Sequence, residues 1–419
     1  MTMDAAIVRA SLLTPGPFGR WGLPILNWGP PSVAKTASTH AIAEDVGLRV
    51  ETLLGSTRQV EDFLGNPYLM DVGIVDGTGT RRTVKATGHA MPDWAIRAFN
   101  DPFTVIHLDE LSLTSTETQK GILRLVHEGF VGEVELPKTI RFMASANPAG
   151  MANGTFDMSP PLVSRWGHAM TGVDEMLQKV TLGQGFVEDW AKWALMSGGE
   201  RPVGYVPEPQ DSRAARVEEA QNFVMESWSQ TYREVRADVA SFMMSTAGGI
   251  SALHDMPPCD TIRPGVAWAN PRMWEYAMRA MAAGKIHHLT EMQTHQWAGM
   301  FVGVGIIAKF AFFQKDLNLP TPSDFLSGNV QYTHDPYKLD RTMSLLNACA
   351  VHICAPQCTN SSVKEGTFWS FVTTLATSCG DICIPAIHLM IGARKVHNKM
   401  ASTALVAFHP MLKAAGVVK

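Results

Sequence analysis

Residues 23–36 of this chain read LPILNWGPPSVAKT. The apolar run over residues 23–28 predicts a short buried strand, and the glycine and prolines after it predict a turn. We predict a helix from Lys35 to about Val46. A strand, a glycine-containing turn and a helix in this order form a loop that can bind phosphate, because backbone N–H groups and the helix N-terminus face the anion.

The turn fits the pattern G-x-x-x-x-[GA]-K-T. A long chain can contain such a turn by chance, but its position after an apolar strand favours a phosphate-binding loop. We expect Lys35 to neutralise the β- and γ-phosphates of a nucleotide and the Thr36 hydroxyl to bind Mg²⁺. Ala34 stands where glycine is usual, and alanine fits there if its φ is negative. The predicted nucleotide-binding residues of the loop are Gly29, Pro30, Pro31, Ser32, Val33, Ala34, Lys35 and Thr36.

Strand and helix patterns alternate along the first part of the chain. Further strands are predicted at 49–54, 103–108 and 140–145, and further helices at 91–99 and 114–128. Two hairpin inserts are predicted near 71–86 and 129–138. Alternation of this kind predicts an α/β fold with a parallel sheet covered by helices on both faces.

Polar residues follow two of these predicted strands. Asp109 and Glu110 come directly after a continuous apolar run, and Asn147 follows the next strand. Ligands of parallel α/β sheets bind at the carboxyl ends of the strands, so we expect Asp109 beside the first loop, holding Mg²⁺ through water. Glu110 is the candidate general base, and Asn147 is a candidate to orient the attacking water. A solvated acidic pair and an Asn-Pro turn are the alternatives.

The composition describes an ordinary globular chain. It has 419 residues with a formal net charge of 35 − 39 = −4, and 18% of its residues are charged. The average charged fraction is about 25%, so the composition argues against disorder and a large polyelectrolyte surface. Domains that bind duplex DNA are usually basic, and the charge therefore makes nucleic acid an unexpected partner.

We expect a soluble cytoplasmic protein without a membrane span. The most apolar run, Met300–Phe313, has 14 residues interrupted by Lys309. A span needs about 20 apolar residues, so this run predicts a buried helix. The first ten residues lack the pattern of a secretory signal, and six cysteines are too few for a disulfide framework, which indicates a reducing compartment.

We predict four segments along the chain. They are an N-terminal linker or cap (1–22), an α/β nucleotide-binding core (23–185), an all-α lid (186–335) and a helical C-terminal extension (336–419). The lid contains widely spaced tryptophans, which we expect in a core. The extension contains five cysteines, which we expect to be buried thiols, with a zinc site as the alternative. These residues are Cys349, Cys354, Cys358, Cys379 and Cys383.

In their order the motifs resemble an AAA+ ATPase, and most closely the MoxR-type branch. The motifs are GPPSVAKT at 29–36, IHLDE at 106–110 and ASANP at 144–148. Alanine before the loop lysine is common in that branch. Weaker matches are Asp62–Gly65, the hairpin at 71–86, residues 126–137, Gly154-Thr155-Phe156, Ser164-Arg165-Trp166 and Asn270-Pro271-Arg272. The resemblance covers residues 20–285.

The resemblance implies roles for two arginines and an assembly. Arg165 corresponds to an arginine finger that reaches the γ-phosphate held by a neighbouring subunit, although Ser164 replaces the usual Asp and Arg124 competes for the role. Arg272 corresponds to a second sensor that ties the helical lid to the nucleotide. The implied assembly is a hexameric ring whose loops at 76–80 and 129–135 face a pore or partner.

The implied activity is Mg²⁺-dependent ATP hydrolysis that remodels a protein partner, which in this family often contains a von Willebrand A domain. Two other functions stay open. One is a DNA- or RNA-acting motor, because related branches include helicases and Arg81, Arg82 and Lys85 follow the first hairpin turn. The other is a scaffold that holds nucleotide without turnover, although a scaffold does not need Glu110 as a general base.

Overall fold

The computed structural model describes residues 4–148, 156, 158–171, 173–174, 179–180, 208–245, 248–255, 267–317, 319–355, 358–396 and 399–417. Gly154 and Thr155, and Trp190 and Trp193 among the tryptophans of the predicted lid, lie outside the described residues. The chain forms two compact units. The first comprises Met1–Glu226, Met256–Trp268 and Arg272–Gly303, and the second comprises Ser227–Asp255, Ala269–Pro271 and Val304–Lys419.

Five parallel strands form the sheet of the first unit. They are β1 (Ile25–Trp28), β2 (Arg49–Leu54), β5 (Thr104–Asp109), β8 (Arg141–Ala146) and β9 (Gly167–Met170). Their spatial order is β2-β5-β8-β1-β9. Four of these strands were predicted, whereas β9 was not, because its short sequence carries no period-2 pattern. The strand that ends at Asp109 is not adjacent to β1, since β8 lies between them.

Helices of the first unit flank this sheet. They are α1 (Ala5–Leu12), α2 (Lys35–Asp45), α3 (Glu61–Leu64), α4 (Asp93–Asn100), α5 (Thr116–Glu128) and α6 (Pro160–Val163). The Ser115 hydroxyl accepts a hydrogen bond from Thr118 N, which caps α5, and Gly129 ends it with a φ of 73°. Helix α1 contributes Val8 and Leu12 to a buried cluster with Val105 of β5. The N-terminal segment is therefore part of the core rather than a linker.

Both predicted hairpins form. Strands β3 (Asn66–Val75) and β4 (Arg81–Ala90) pair over ten residues each, which makes the first hairpin longer than predicted. In its turn the Asp76 carboxylate accepts hydrogen bonds from Thr78 N and Thr80 N, both at 3.0 Å. The second hairpin consists of β6 (Phe130–Val131) and β7 (Val134–Glu135), and a further two-stranded sheet pairs β10 (Val173–Asp174) with β11 (Lys179–Val180).

The described elements after β11 are all helical, as predicted. They are α7 (Gln210–Met244), α8 (Ile250–Leu253), α9 (Pro271–Ile286), α10 (Glu291–Val302), α11 (Val304–Leu317), α12 (Pro322–Leu326), α13 (Leu339–Cys354), α14 (Ser361–Leu375), α15 (Ile384–Gly392) and α16 (Lys399–Ala414). The second unit has its own core, which includes Leu345, Phe368, Trp369, Ile387 and Phe408. No helix within the described ranges combines the length and apolarity that crossing a bilayer requires.

The division into units does not coincide with the predicted segment boundaries at 185 and 335. Residues up to Glu226 belong to the first unit, and Val304–Lys419 belongs entirely to the second. The apolar run Met300–Phe313 was predicted as one helix, but it is two. Gly303, with a φ of 90°, separates α10 from α11.

Candidate active site

The loop between β1 and α2 follows the predicted strand, turn and helix order, and its backbone is tightly constrained. A Cβ on Gly29 would lie 2.7 Å from Thr171 O, so only glycine fits there. Ser32 and Ala34 both have positive φ values, 65° and 59°. The expectation of a negative φ at Ala34 was wrong: this residue adopts the left-handed conformation that glycine accommodates better.

Lys35 begins α2 and points into the loop. Its side-chain amine donates to Gly29 O at 2.9 Å, to Pro30 O at 2.8 Å and to Asn147 Oδ1 at 2.9 Å. Burial lowers the pKa of Lys35, while the negative charges of Asp109 and Glu110 act in the opposite direction. These three acceptors occupy the three N–H donors of the ammonium group, so an anion at the loop has to replace one of them.

Thr36 and Asp109 meet directly. The Thr36 hydroxyl donates to Asp109 Oδ2 at 2.6 Å, and the other oxygen of that carboxylate accepts from Glu110 N at 3.0 Å. Asp109 ends β5, and Thr36 lies in the first turn of α2. Hydroxyl and carboxylate oxygens are hard donors of the kind Mg²⁺ prefers, so this pair fits the expected metal ligands.

Glu110 has a partner that sequence reasoning missed. It adopts a left-handed conformation with a φ of 55°, and its Oε2 accepts a hydrogen bond from the Ser56 hydroxyl at 2.6 Å. Ser56 follows β2, whose last residue Leu54 pairs with Asp109 of β5. A search for polar residues just after each predicted strand would have identified Ser56, because such residues gather at one edge of a parallel sheet.

A cavity of about 440 Å³ lies at this edge of the sheet. It is lined by Pro31, Ser32, Ala34, Lys35, Thr36, Ala37, Asp109, Glu110, Ser145, Ala146 and Asn147. Asn147 follows β8, the strand between β1 and β5. Ser145 of β8 hydrogen-bonds to His107 of β5 at 2.8 Å, and Ser112 accepts from Asn147 N at 3.3 Å. The predicted lysine, threonine, acidic pair and asparagine therefore surround one cavity.

The two predicted arginines lie elsewhere. Neither Arg165 nor Arg272 lines the cavity. The Arg165 side chain is 7% exposed, its Nη1 donates to Pro161 O, and its buried Nε has no hydrogen-bond partner within the described part of the chain. Burial, followed by the positive charge of Arg272, lowers the pKa of Arg165 to about 10. The two arginines are therefore neighbours.

Other groups surround this arginine pair. Burial and then the charges of Arg165 and Arg272 lower the pKa of His127. Burial and the Glu275 carboxylate raise the pKa of Tyr276 to about 12, although both arginines act against this shift. Arg124, the competing candidate for the arginine finger, instead donates to Gly132 O at 2.7 Å and to Glu128 at 3.3 Å.

Comparison with known proteins gives little beyond this geometry. No protein-family model and no curated protein matches the chain. Among solved structures, the chain is similar to a putative ATPase from Cytophaga hutchinsonii, with 14% sequence identity and a TM-score of 0.40. The match covers 78% of this chain and 89% of that one.

Proposed function

We propose that this protein is a Mg²⁺-dependent AAA+ ATPase of the MoxR type, which hydrolyses ATP between the subunits of a ring to remodel a protein partner. The observation that carries the proposal is the 2.6 Å hydrogen bond between Thr36 and Asp109 beside a buried Lys35. A lysine, a metal-binding pair and a following carboxylate are the parts that phosphoryl transfer needs.

Each side chain of the cavity has a role in this proposal. Lys35 balances negative charge on the β- and γ-phosphates, and it exchanges its bond to Asn147 for the nucleotide. Thr36 and Asp109 hold Mg²⁺, which supplies charge neutralisation when bound. Glu110 accepts a proton from the attacking water, and Asn147 orients that water. Ser56 holds Glu110 until the nucleotide site is complete.

The position of the arginines supports a site shared between subunits. Arg165 and Arg272 are neighbours, and neither lines the cavity of its own chain. We infer that both act on the nucleotide of an adjacent subunit, where their charge stabilises the transition state. Arg165 must then leave the bond to Pro161 O on assembly. In this proposal Arg272 contacts the neighbour's nucleotide rather than its own.

The first hairpin supports a protein partner better than a nucleic acid. Tyr68, Met70 and Ile74 alternate along β3, so they share one face, and they are 50%, 39% and 42% exposed. Two of the basic side chains of β4 are paired with acids, Lys85 with Asp71 at 2.8 Å and Arg82 with Asp76 at 3.3 Å. An exposed apolar face of this kind typically binds protein. We propose that it contacts the remodelled partner, for which a von Willebrand A domain is a candidate.

The experiment is steady-state ATP hydrolysis with Mg²⁺ across a range of protein concentrations, with ATP binding measured in parallel. For Glu110→Gln we expect wild-type ATP binding and turnover lower by about 10²–10⁴-fold, because the general base is lost. Glu117→Gln, an exposed glutamate of α5, is the matched control and should keep full turnover. ATP binding without turnover in the wild-type protein, at every concentration, would favour the scaffold instead.

Salt-dependent binding of single- or double-stranded nucleic acid tests the remaining alternative. We expect no measurable binding at physiological ionic strength, because the chain carries a net charge of −4. Tight, salt-sensitive binding would instead favour a nucleic-acid motor.

A further inference from the structure

A cysteine and a histidine meet in the second unit, far from one another in sequence. Cys379 Sγ lies 3.4 Å from His334 Nε2, and His334 Nδ1 lies 2.8 Å from the Thr342 hydroxyl oxygen. The three residues come from three places: the segment before α13, α13 itself and the turn after α14. When the proton of neutral His334 is on Nδ1, this atom donates to Thr342, and Nε2 accepts from the thiol.

This arrangement has the geometry of an activated nucleophile. A thiol within hydrogen-bond reach of a base, with the base oriented by a third group, is the signature of a reactive cysteine. Thr342 is fully buried and also hydrogen-bonds to the Tyr332 hydroxyl at 3.0 Å. The imidazole is therefore oriented by a buried side chain.

Cys379 differs from the other cysteines of this unit. Burial raises the pKa of the Cys383 thiol to about 12 and also raises the pKa values of Cys349 and Cys354. A raised pKa favours the protonated thiol, which is the less reactive form. Cys358 and Cys379 are both partly exposed, but the hydrogen-bond partner of Cys358 Sγ is a backbone oxygen, Thr359 O at 3.7 Å, and not a base. Cys358 is therefore a natural internal reference for a partly exposed thiol without a base.

A cavity lies in the same unit, lined by the sequence neighbours of His334 but not by His334 or Cys379 themselves. It has a volume of about 430 Å³ and is lined by Leu319, Pro320, Val330, Gln331, Tyr332, Thr333, Asp335 and Arg341. Thr333 and Asp335 flank His334 in sequence. Tyr332 and His334 both hydrogen-bond to the Thr342 hydroxyl. The lining mixes amide, hydroxyl and charged groups, which suit a small polar molecule.

We propose that Cys379 is a redox modification site, at which His334 promotes thiol–disulfide exchange with a small polar disulfide such as oxidised glutathione. Among the residues that the structure describes, no three His, Cys, Asp or Glu side chains are grouped so that they could hold a metal ion. The modification site does not depend on the proposed ATPase activity.

The reaction needs only the Cys379 thiol and oxidised glutathione, which is the oxidant. Cys379 transfers its proton to His334 Nε2, and the thiolate attacks one sulfur of the disulfide. A bond forms between Cys379 Sγ and that sulfur, and the disulfide bond of glutathione breaks. The departing glutathione thiolate takes the proton from His334. Cys379 is oxidised to a mixed disulfide, and one glutathione sulfur is reduced to a thiol.

The test uses the full-length folded protein with oxidised glutathione, quenched by acid at timed intervals and mapped by peptide mass spectrometry. We expect Cys379 to react about tenfold faster than Cys358. His334→Gln should lower the rate at Cys379 to that of Cys358. His388→Gln, at an exposed histidine of α15, is the matched control and should leave both rates unchanged.

Two results would overturn the proposal. One is a Cys379 rate no higher than that of Cys358. The other is an unchanged Cys379 rate in a His334→Gln variant that melts like the wild type. If His334→Gln does not fold, Thr342→Val tests the role of the histidine instead. This nearly isosteric change removes the hydrogen bond that orients the imidazole, so the reaction rate at Cys379 should fall about threefold. An unchanged rate in that variant also rejects a role for the histidine.

Discussion

At the scale of single residues, the site contains backbone conformations that side chains rarely adopt. Ala34, which precedes Lys35, and Glu110, which follows Asp109, both have positive φ values. Such residues cost of order 1–3 kcal/mol each and cluster at functional sites, where the surrounding structure holds them in place. The strained backbone at these residues therefore lowers the stability of the protein, while it places the loop amides and the Glu110 carboxylate.

Ala34→Gly should stabilise the protein, because glycine adopts the left-handed conformation without a steric penalty. We expect the free energy of unfolding to rise by about 1 kcal/mol. Ala41→Gly is the matched control: it removes the same methyl group from an exposed position inside α2, and it should lower that free energy by about 0.5–1 kcal/mol. Urea denaturation measures both. Destabilisation by both changes would contradict the strain at Ala34.

Ser56→Ala should release Glu110 from the hydrogen bond that holds it. A bond of this kind contributes about 1 kcal/mol, so we expect basal ATP turnover to rise about fivefold with ATP affinity unchanged. Thr57→Ala in the same turn, where the hydroxyl donates to Leu54 O, should leave turnover unchanged. A fall in turnover for Ser56→Ala would mean that this serine places Glu110 productively instead.

At the scale of elements, a buried hydrogen-bonded pair connects the strand before the loop to the segment that carries Arg165. Trp28 Nε1 donates to His168 Nδ1 at 3.0 Å, and His168 Nε2 lies 3.1 Å from Val163 O. Trp28 ends β1, His168 lies in β9, and Val163 ends α6. Because Trp28 precedes Gly29 directly, this pair links the start of the loop to the segment that carries Arg165.

The same pair predicts a dependence of stability on pH. Burial lowers the pKa of His168 to about 4. In the unfolded chain this histidine binds a proton near pH 6.5, whereas in the native state it stays neutral until about pH 4. The free energy of unfolding therefore falls as the pH drops from 6.5 towards 4. The full contribution is about 3 kcal/mol.

His168→Gln keeps an acceptor for Trp28 and a donor for Val163 O but cannot titrate. We expect this variant to lose less stability than the wild type between pH 7 and pH 5, as measured by urea denaturation. His388→Gln, at an exposed position, should follow the wild-type curve. An identical pH dependence in wild type and His168→Gln would show that the histidine is protonated in the native state.

At the scale of the whole molecule, the proposed ring can be tested by mixing two inactive variants. Lys35→Ala removes the loop lysine but keeps Arg165. Arg165→Ala removes this arginine but keeps the loop lysine. If the arginine acts between subunits, a mixed ring contains interfaces that pair an intact cavity with an intact Arg165. At equal amounts and random assembly we expect about a quarter of the interfaces to regain activity.

The control for this mixing experiment is size-exclusion chromatography, which must show assemblies of the same size for each variant and for the mixture. Repeating the experiment with Arg272→Ala in place of Arg165→Ala assigns the second arginine in the same way. No recovery of turnover in mixed assemblies would place the arginines on the nucleotide of their own chain.

The local order of strands, loops and helices in the first unit is readable from short stretches of the sequence. The apolar run before Gly29, the loop ending in Lys35 and Thr36, and the apolar strand before Asp109 each lie within a short window. Strand and helix periods and turn residues are encoded at that range, so these elements were predicted nearly to their ends. Of the cavity residues, Lys35 and Thr36 followed from the loop pattern, and Asp109, Glu110 and Asn147 followed from the rule for strand ends.

Contacts between residues far apart in sequence depend on the tertiary packing. The place of β8 between β1 and β5, the added strand β9, the bond from Ser56 to Glu110 and the burial of Arg165 all arise from packing between remote segments. The same holds for Cys379 and His334, which are 45 residues apart. Hydrophobic burial does not specify which partner a side chain meets, so no local pattern in the sequence records these contacts.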